Sequence, residues 1–352
     1  MKIVSSGTAF PQHYYKQHEI TSALTDFWHE KSNTPQRSAL VERFHKNAGV
    51  DGRYLTLSLD EFRALENWGQ ANDAWIDGAV KLGEQAITRA LERVGVGADK
   101  IGALFFVSIT GIANPSIDAR LMNKLSFSSH LRRIPIFGLG CVAGAAGLSR
   151  AADYVLAHPD QIAILLSVEL CSLTWQKEDT TAANMISTGL FGDGAAAIVV
   201  AGKDVPLSGP RVVATESCFY RDTSNLMGWD ISNEGLKVVL SPEVPQVVVD
   251  NLGANVDEFL AKHNLNRSDI GSWIMHTGGP KVLDAMAKSL DLPREALDAS
   301  WRWLKEVGNL SSAAVLVVLD DIMSNDRPAP GTYSVLAAMG PGFCSEIVLI
   351  RW

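Results

Sequence analysis

Short, almost uninterrupted apolar runs alternate along most of the chain with stretches whose apolar residues recur every three or four positions. KIVSSGTAF, ALFFVSIT, IPIFGLG, IAILLSVEL and AAAIVVAG are too short and too uniformly apolar for surface helices, so they predict strands covered on both faces. Between the first two, GEQAITRALERV has the spacing of an amphipathic helix. The alternation predicts an α/β fold. A polar stretch, GKDVPLSGPR at 202–211, interrupts it and reads as a joint between two halves, 1–203 and 204–352.

The second half repeats the first. EQAITRALERVGVGADKIGALFFVSITG and VDEFLAKHNLNRSDIGSWIMHTGG share a helix, a turn with an acidic residue, and a strand ending in Thr and Gly. GCVAGAAGLSRAADYV matches GNLSSAAVLVVLDDIM, and LFGDGAAAIVV matches PGFCSEIVLI. Two copies of one pattern imply a duplicated fold with a pseudo-twofold axis, and in this matching Cys141 and Asn309 are equivalent. Residues from about 12 to 85 lack a counterpart; TSALTDFWHEK and the segment around SALVERFHKNAGVDGRYL predict helices inserted as a cap over a site.

Composition narrows the function. The 352 residues carry a formal charge of -8, which argues against a nucleic-acid or anionic-membrane surface, because both need a basic field. No run of about 18 apolar residues offers a membrane span, and MKIVSSGTAFPQ reads as a strand and turn rather than a leader. The four cysteines, Cys141, Cys171, Cys218 and Cys344, are scattered without metal-ligand spacing, as in a reduced cytoplasmic protein with no metal or bound cofactor.

Cys141 stands where an apolar run gives way to tiny side chains at helical spacing, and His276 falls at a strand end in WIMHTGGP. Singly, a buried cysteine is core filler, a histidine a satisfied core group and a Gly-Asn pair a helix cap. Together, Cys141, His276 and Asn309 supply a nucleophile, a base and a hydrogen-bond donor.

GCVAG around Cys141, GLFGDGAAA at 189–197, MHTGGPKVLDA around His276, GNLSSAAV around Asn309 and GPGF at 340–343 resemble the type III polyketide synthases, chalcone-synthase-like enzymes of the thiolase superfamily. VELCSLTWQKEDTTAANMISTGLFGDG resembles the bacterial branch that makes alkylpyrones and alkylresorcinols. The resemblance implies a thiolase-like duplicated α/β fold of two βαβαβαββ-type halves with the cap in the first. It implies decarboxylative condensation of malonyl-CoA onto an acyl-CoA bound to Cys141, with His276 and Asn309 as donors to the thioester oxygen. A ketoacyl synthase III that uses an acyl carrier protein, a type III synthase making tetrahydroxynaphthalene from malonyl-CoA alone, and a catalytically silent acyl-binding subunit are the other readings.

The family pattern also assigns a cavity. Phe191 matches a gatekeeper phenylalanine, and Val238 replaces a phenylalanine that flavonoid-forming members carry, which favours a medium or long fatty acyl starter. Ile109, Thr110, Thr174 and Trp175 match cavity-lining positions, and Trp229 matches one near them. Asn114, in ITGIANPSID, matches a loop that reaches into a partner's cavity and implies a homodimer. Arg43, Lys46 and Arg53 resemble cationic CoA contacts, and Gly278 and Gly279 would let the pantetheine arm approach. At the helix start, Cys141 would pair with His276 as thiolate and imidazolium.

Overall fold

The structure, a computed structural model, describes residues 1–31 and 35–352; residues 32–34 of the expected cap lie outside them. Strand β1 (Lys2–Ala9) leads to a hairpin of β2 (His13–Lys16) and β3 (Gly52–Leu55), between which come helices α1 (Gln17–Lys31) and α2 (Pro35–Asn47). Then follow α3 (Leu59–Ala64), α4 (Trp68–Val94), β4 (Ile101–Val107), α5 (Ile117–Leu121), β5 (Arg132–Ile136), α6 (Ala143–Ala157), β6 (Ile162–Leu170), α7 (Ala182–Leu190) and β7 (Asp193–Ala201). The second half contains β8 (Arg211–Phe219), β9 (Met227–Ser232), β10 (Gly235–Leu240), α8 (Val244–Ala261), β11 (Ile270–Met275), α9 (Pro280–Leu290), α10 (Asp298–Val307), α11 (Ala314–Asn325), β12 (Tyr333–Gly340) and β13 (Cys344–Arg351).

Nine strands form one sheet in the order β5-β4-β6-β7-β1-β8-β13-β12-β11. Read outward from the β1–β8 junction, the halves mirror each other: β1 pairs antiparallel with β7 and β8 with β13, β7 pairs antiparallel with β6 and β13 with β12, and β6 runs parallel to β4 as β12 does to β11. β5 has no strand counterpart. This is the duplicated α/β architecture that the repeat implies.

The central strands β6 and β7 are buried at every position, as their unbroken apolar runs require. Three predicted boundaries shift. ALFFVSIT leaves the sheet after Val107, because Ser108 and Thr110 turn to a buried carboxylate; IPIFGLG leaves it after Ile136; and GRYL is a strand of the cap hairpin, not a helix. The helix predicted from GEQAITRALERV begins earlier, at Trp68, behind an Asn67 cap whose side chain accepts from Gln70 N. Within the cap, the buried His45 bonds Thr21 at 2.8 Å and Thr188 at 3.2 Å, tying α2 to α1 and α7. Among the described residues, no helix is long and apolar enough to cross a membrane.

Candidate active site

Cys141 occupies a single 3-10 turn, Gly140–Val142, that opens α6. Gly140 has φ +58, and a Cβ there would sit 2.5 Å from Pro341, so only glycine lets the turn pass under the GPGF loop. The small residues after Cys141 have a specific partner. A Cβ on Gly144 would lie 2.1 Å from the carbonyl oxygen of Ser312, at the corresponding 3-10 turn (Ser311–Ala313) that opens α11. The two helix starts meet backbone to backbone across the pseudo-twofold axis.

That meeting corrects the sequence matching. The turn-then-helix register equates Cys141 with Ser312, the second residue of each turn, and leaves Asn309 three positions earlier. The shared Gly-X-X-small pattern hid the extra residues that the second half places before its turn.

Asn309 nonetheless reaches Cys141 through one intermediary. Its Oδ1 accepts from Ser311 N at 2.8 Å, and Ser311 Oγ lies 3.6 Å from Cys141 Sγ. With its oxygen anchored, the amide presents Nδ2 as the free donor, and no protein acceptor holds that nitrogen among the described residues. Main-chain bonds from Asn309 N to Leu190 O (2.9 Å) and from Gly192 N to Asn309 O (3.0 Å) bridge Asn309 to Phe191.

His276 follows β11, and its N donates to Ala337 O on β12 at 3.1 Å, four residues before the Pro341 that covers Gly140. Its Nδ1 is sealed without a hydrogen-bond partner, which leaves Nε2 as the nitrogen able to meet a substrate. Among the described residues it makes no hydrogen bond to Cys141.

Burial sets the electrostatics. It pushes the Cys141 thiol up to about 12, with the Glu169 charge adding to the effect and the Ser311 bond opposing it. It pushes His276 down to about 4. The expected resting thiolate and imidazolium are therefore disfavoured by their surroundings. The helix N-terminus acts the other way, favouring the thiolate.

Beneath Cys141 lies a polar network that sequence reading missed. Glu169, fully buried on β6, accepts from Ser312 Oγ, from Thr110 Oγ1 at 2.9 Å and from Ile109 N at 3.1 Å, and burial raises its carboxyl to about 7. Its only sequence mark is a lone acid inside an apolar strand.

Two adjoining cavities surround the site. An outer lobe is lined by Cys141, Ile109, Thr110 and Ser311 among others, and an inner lobe extends under the cap, past Thr174 and Trp175 to Leu24 and Phe62. Cys171, Phe191, Trp229 and Val238 line both and form the neck between them. Phe191, Val238, Thr174, Trp175, Thr110 and Ile109 thus all line one lobe or both. Cys171 was not anticipated.

The expected CoA contacts divide. Arg43 and Lys46 are exposed on α2. Arg53 is 1% exposed and donates from Nη1 to Phe191 O at 2.8 Å, so it cannot meet a phosphate at the surface; its place on a hairpin strand turns it inward. Gly279, with φ +121, caps α9, and a Cβ on Gly278 would meet Val282 at 2.9 Å, so both are needed to start that helix. Asn114 is exposed on the loop after β4, outside both lobes.

The family models for chalcone and stilbene synthases match the chain twice, the N-terminal domain over residues 1–204 and the C-terminal domain over 211–352. A 1,3,6,8-tetrahydroxynaphthalene synthase of Streptomyces peucetius subsp. caesius is 49% identical over 353 residues, covering 99% of this chain and 93% of that protein. A putative chalcone synthase of Bacillus subtilis is 37% identical, covering 99% and 98%. The crystal structure of 1,3,6,8-tetrahydroxynaphthalene synthase from Streptomyces coelicolor A3(2) superposes with a TM-score of 0.94 at 29% identity, covering 100% of this chain and 99% of that one. With its duplicated sheet, its cysteine-bearing helix start and these matches, the chain belongs to the chalcone and stilbene synthase family and is a type III polyketide synthase, a condensing acyltransferase.

Proposed function

We propose that this synthase condenses malonyl-CoA alone into a small aromatic product of the 1,3,6,8-tetrahydroxynaphthalene type. The observation that carries this reading is the 49% identity, along essentially the whole chain, to a protein of that activity. Other relatives are a 3,5-dihydroxyphenylacetyl-CoA synthase of Streptomyces toyocaensis, 32% identical, and a phloroglucinol synthase of Pseudomonas fluorescens, 30% identical. The named products have rings that can be assembled from two-carbon units, with no alkyl tail. The neck geometry supports the same reading over a fatty acyl starter: the bulk missing at Val238 is met by Trp229, directly opposite it on the β9–β10 ribbon.

In this reading Cys141 takes the starter acyl group from CoA. Malonyl-CoA then loses CO₂, and the charge that develops on its thioester oxygen is met by His276 Nε2 and Asn309 Nδ2. Two such donors, fixed before the reaction, supply several kcal/mol in a water-poor cavity. The carbanion attacks the Cys141 thioester and frees the thiol. Five malonyl units, each losing one CO₂, give ten carbons, the count of a naphthalene. Arg43 and Lys46 would meet the CoA phosphates from α2. The protein would act in the cytoplasm as a homodimer, whose contact includes the loop carrying Asn114 and the exposed Ile112 (43%) and Phe137 (52%) beside edge strand β5.

The test is a starter panel. Purified enzyme is given malonyl-CoA with and without hexanoyl-, lauroyl- or coumaroyl-CoA, and products are identified by mass. A dominant aromatic product that needs no added starter supports the proposal; products only when an acyl starter is present reject it.

A further inference from the structure

Strand β11 ends the sheet, paired with β12 on one edge and with no strand on the other among the described residues. Just past its end, His276 N turns toward β12 and donates to Ala337 O at 3.1 Å. Main-chain groups of a strand alternate between its two edges, so the N–H and C=O of Met275, one residue earlier, face away from β12. Met275 is fully buried, and buried main-chain groups need partners. A single side chain supplies both: Ser300 Oγ accepts from Met275 N at 3.3 Å and donates to Met275 O at 2.8 Å. Ser300 is itself fully buried, on the face of α10 that also buries Leu304 and Val307. At that helical spacing an apolar residue is the expected occupant. The serine instead takes the place of a missing strand beside the residue that precedes His276.

This placement bears on both proposed donors. His276 has its Nδ1 sealed without a partner, so no hydrogen bond on that nitrogen orients the ring. The ring is located by its packing and its main chain, and that main chain is pinned to β12 on one edge and, through Met275, to Ser300 on the other. From Ser300, α10 runs about two turns further to its cap at Gly308, where φ is +77 and the chain passes directly into Asn309. One helix thus joins the strand end that carries His276 to the turn that carries Asn309.

We infer that Ser300 is a positioning residue for the reaction: by clamping the end of β11 to α10 it fixes the spacing of the His276 and Asn309 donors. The inference rests on the proposed role of those two side chains in malonyl-CoA decarboxylation. Donors preorganised for a developing charge lose their effect steeply when displaced, by up to about a hundredfold for about 1 Å.

Ser300→Ala removes the clamp, and Ser300 lines neither lobe. Once circular dichroism confirms that the variant is folded at the assay temperature, its kcat and KM for decarboxylation of malonyl-CoA to acetyl-CoA and CO₂ are measured. The rate of Cys141 alkylation by iodoacetamide is followed on the peptide that contains it. The expected result is a fall in kcat of about tenfold or more. KM and the alkylation rate should stay within about twofold of wild type, because the donors act in the transition state. A wild-type kcat overturns the inference. So does a fall in kcat matched by an equal fall in alkylation, which a general loosening of the core would produce. Should Ser300→Ala fail to fold, Ser300→Cys, which keeps the side-chain shape but bonds weakly, decides by the same comparison. His276→Ala keeps two failures apart: wild-type decarboxylation there sinks the proposed role of His276, whereas a slow His276→Ala beside a fully active Ser300→Ala rejects the clamp alone.

Discussion

Trp229 faces Val238 across the β9–β10 ribbon, and both side chains line the neck between the two lobes. Directly opposed residues of an antiparallel pair have Cβ atoms about 4.5–5.5 Å apart, so the indole takes space that a valine alone would leave open. Trp229→Ala should therefore admit alkyl starters. Four newly buried methylenes at about 0.8 kcal/mol each give roughly 3 kcal/mol before ordering costs, so the kcat/KM for octanoyl-CoA should rise about tenfold or more. Val238→Phe should narrow the neck further and shorten the products. An unchanged starter profile in Trp229→Ala would show that the neck does not select the starter.

Asn309 is held by Ser311 with its Nδ2 free to donate. Removing one preorganised donor costs about 10²–10³ in rate. Asn309→Ala should lose that much malonyl-CoA decarboxylation while still transferring an acyl group to Cys141, visible as a mass increase on the intact protein. Cys141→Ala should show no mass increase at all. Wild-type decarboxylation in Asn309→Ala would remove Asn309 from the chemistry.

Gly144 packs on the carbonyl of Ser312 so closely that even a methyl group must move backbone. Gly144→Ala should cost about 1–3 kcal/mol, read as a lower denaturation midpoint, and should slow Cys141 acylation because Ser311 and Ser312 shift with the turn. A variant as stable and as active as the wild type would mean that the two helix starts are not in contact.

Glu169 links stability to pH. Burial raises its carboxyl from the ordinary 4.5 to about 7. Between those values the folded protein keeps a proton that the unfolded chain has released. Its contribution is therefore greatest below pH 4.5 and is lost as pH rises to 7, a range worth about 3 kcal/mol at 1.36 kcal/mol per unit. Glu169→Gln cannot titrate, so its stability deficit relative to wild type should be larger at pH 5 than at pH 7.5. Chemical denaturation at the two pH values measures this, and an equal deficit at both contradicts it.

The sequence makes the architecture legible because burial and duplication leave periodic marks: the strand IAILLSVEL is found residue for residue as β6, and the repeat foreshadows the mirrored sheet. Cys141, His276 and Asn309 are visible because their motifs sit at strand ends and helix starts. Features that depend on which way a side chain turns are not visible. Arg53 reads as a surface cation in GRYL, yet the hairpin turns it inward. Trp229 reads only as a residue near the cavity, and the ribbon register is what sets it against Val238. Glu169 and Ser312, 143 residues apart in the chain, meet only when the halves close on each other.

The central claim, a synthase that builds an aromatic product from malonyl-CoA alone, is tested most directly with uniformly ¹³C-labelled malonyl-CoA as the only substrate. The account predicts an aromatic product in which all ten carbons are labelled, with the mass of 1,3,6,8-tetrahydroxynaphthalene or of the quinone formed from it in air. No product until an unlabelled acyl-CoA is added, followed by a product that carries that acyl chain unlabelled, would contradict it.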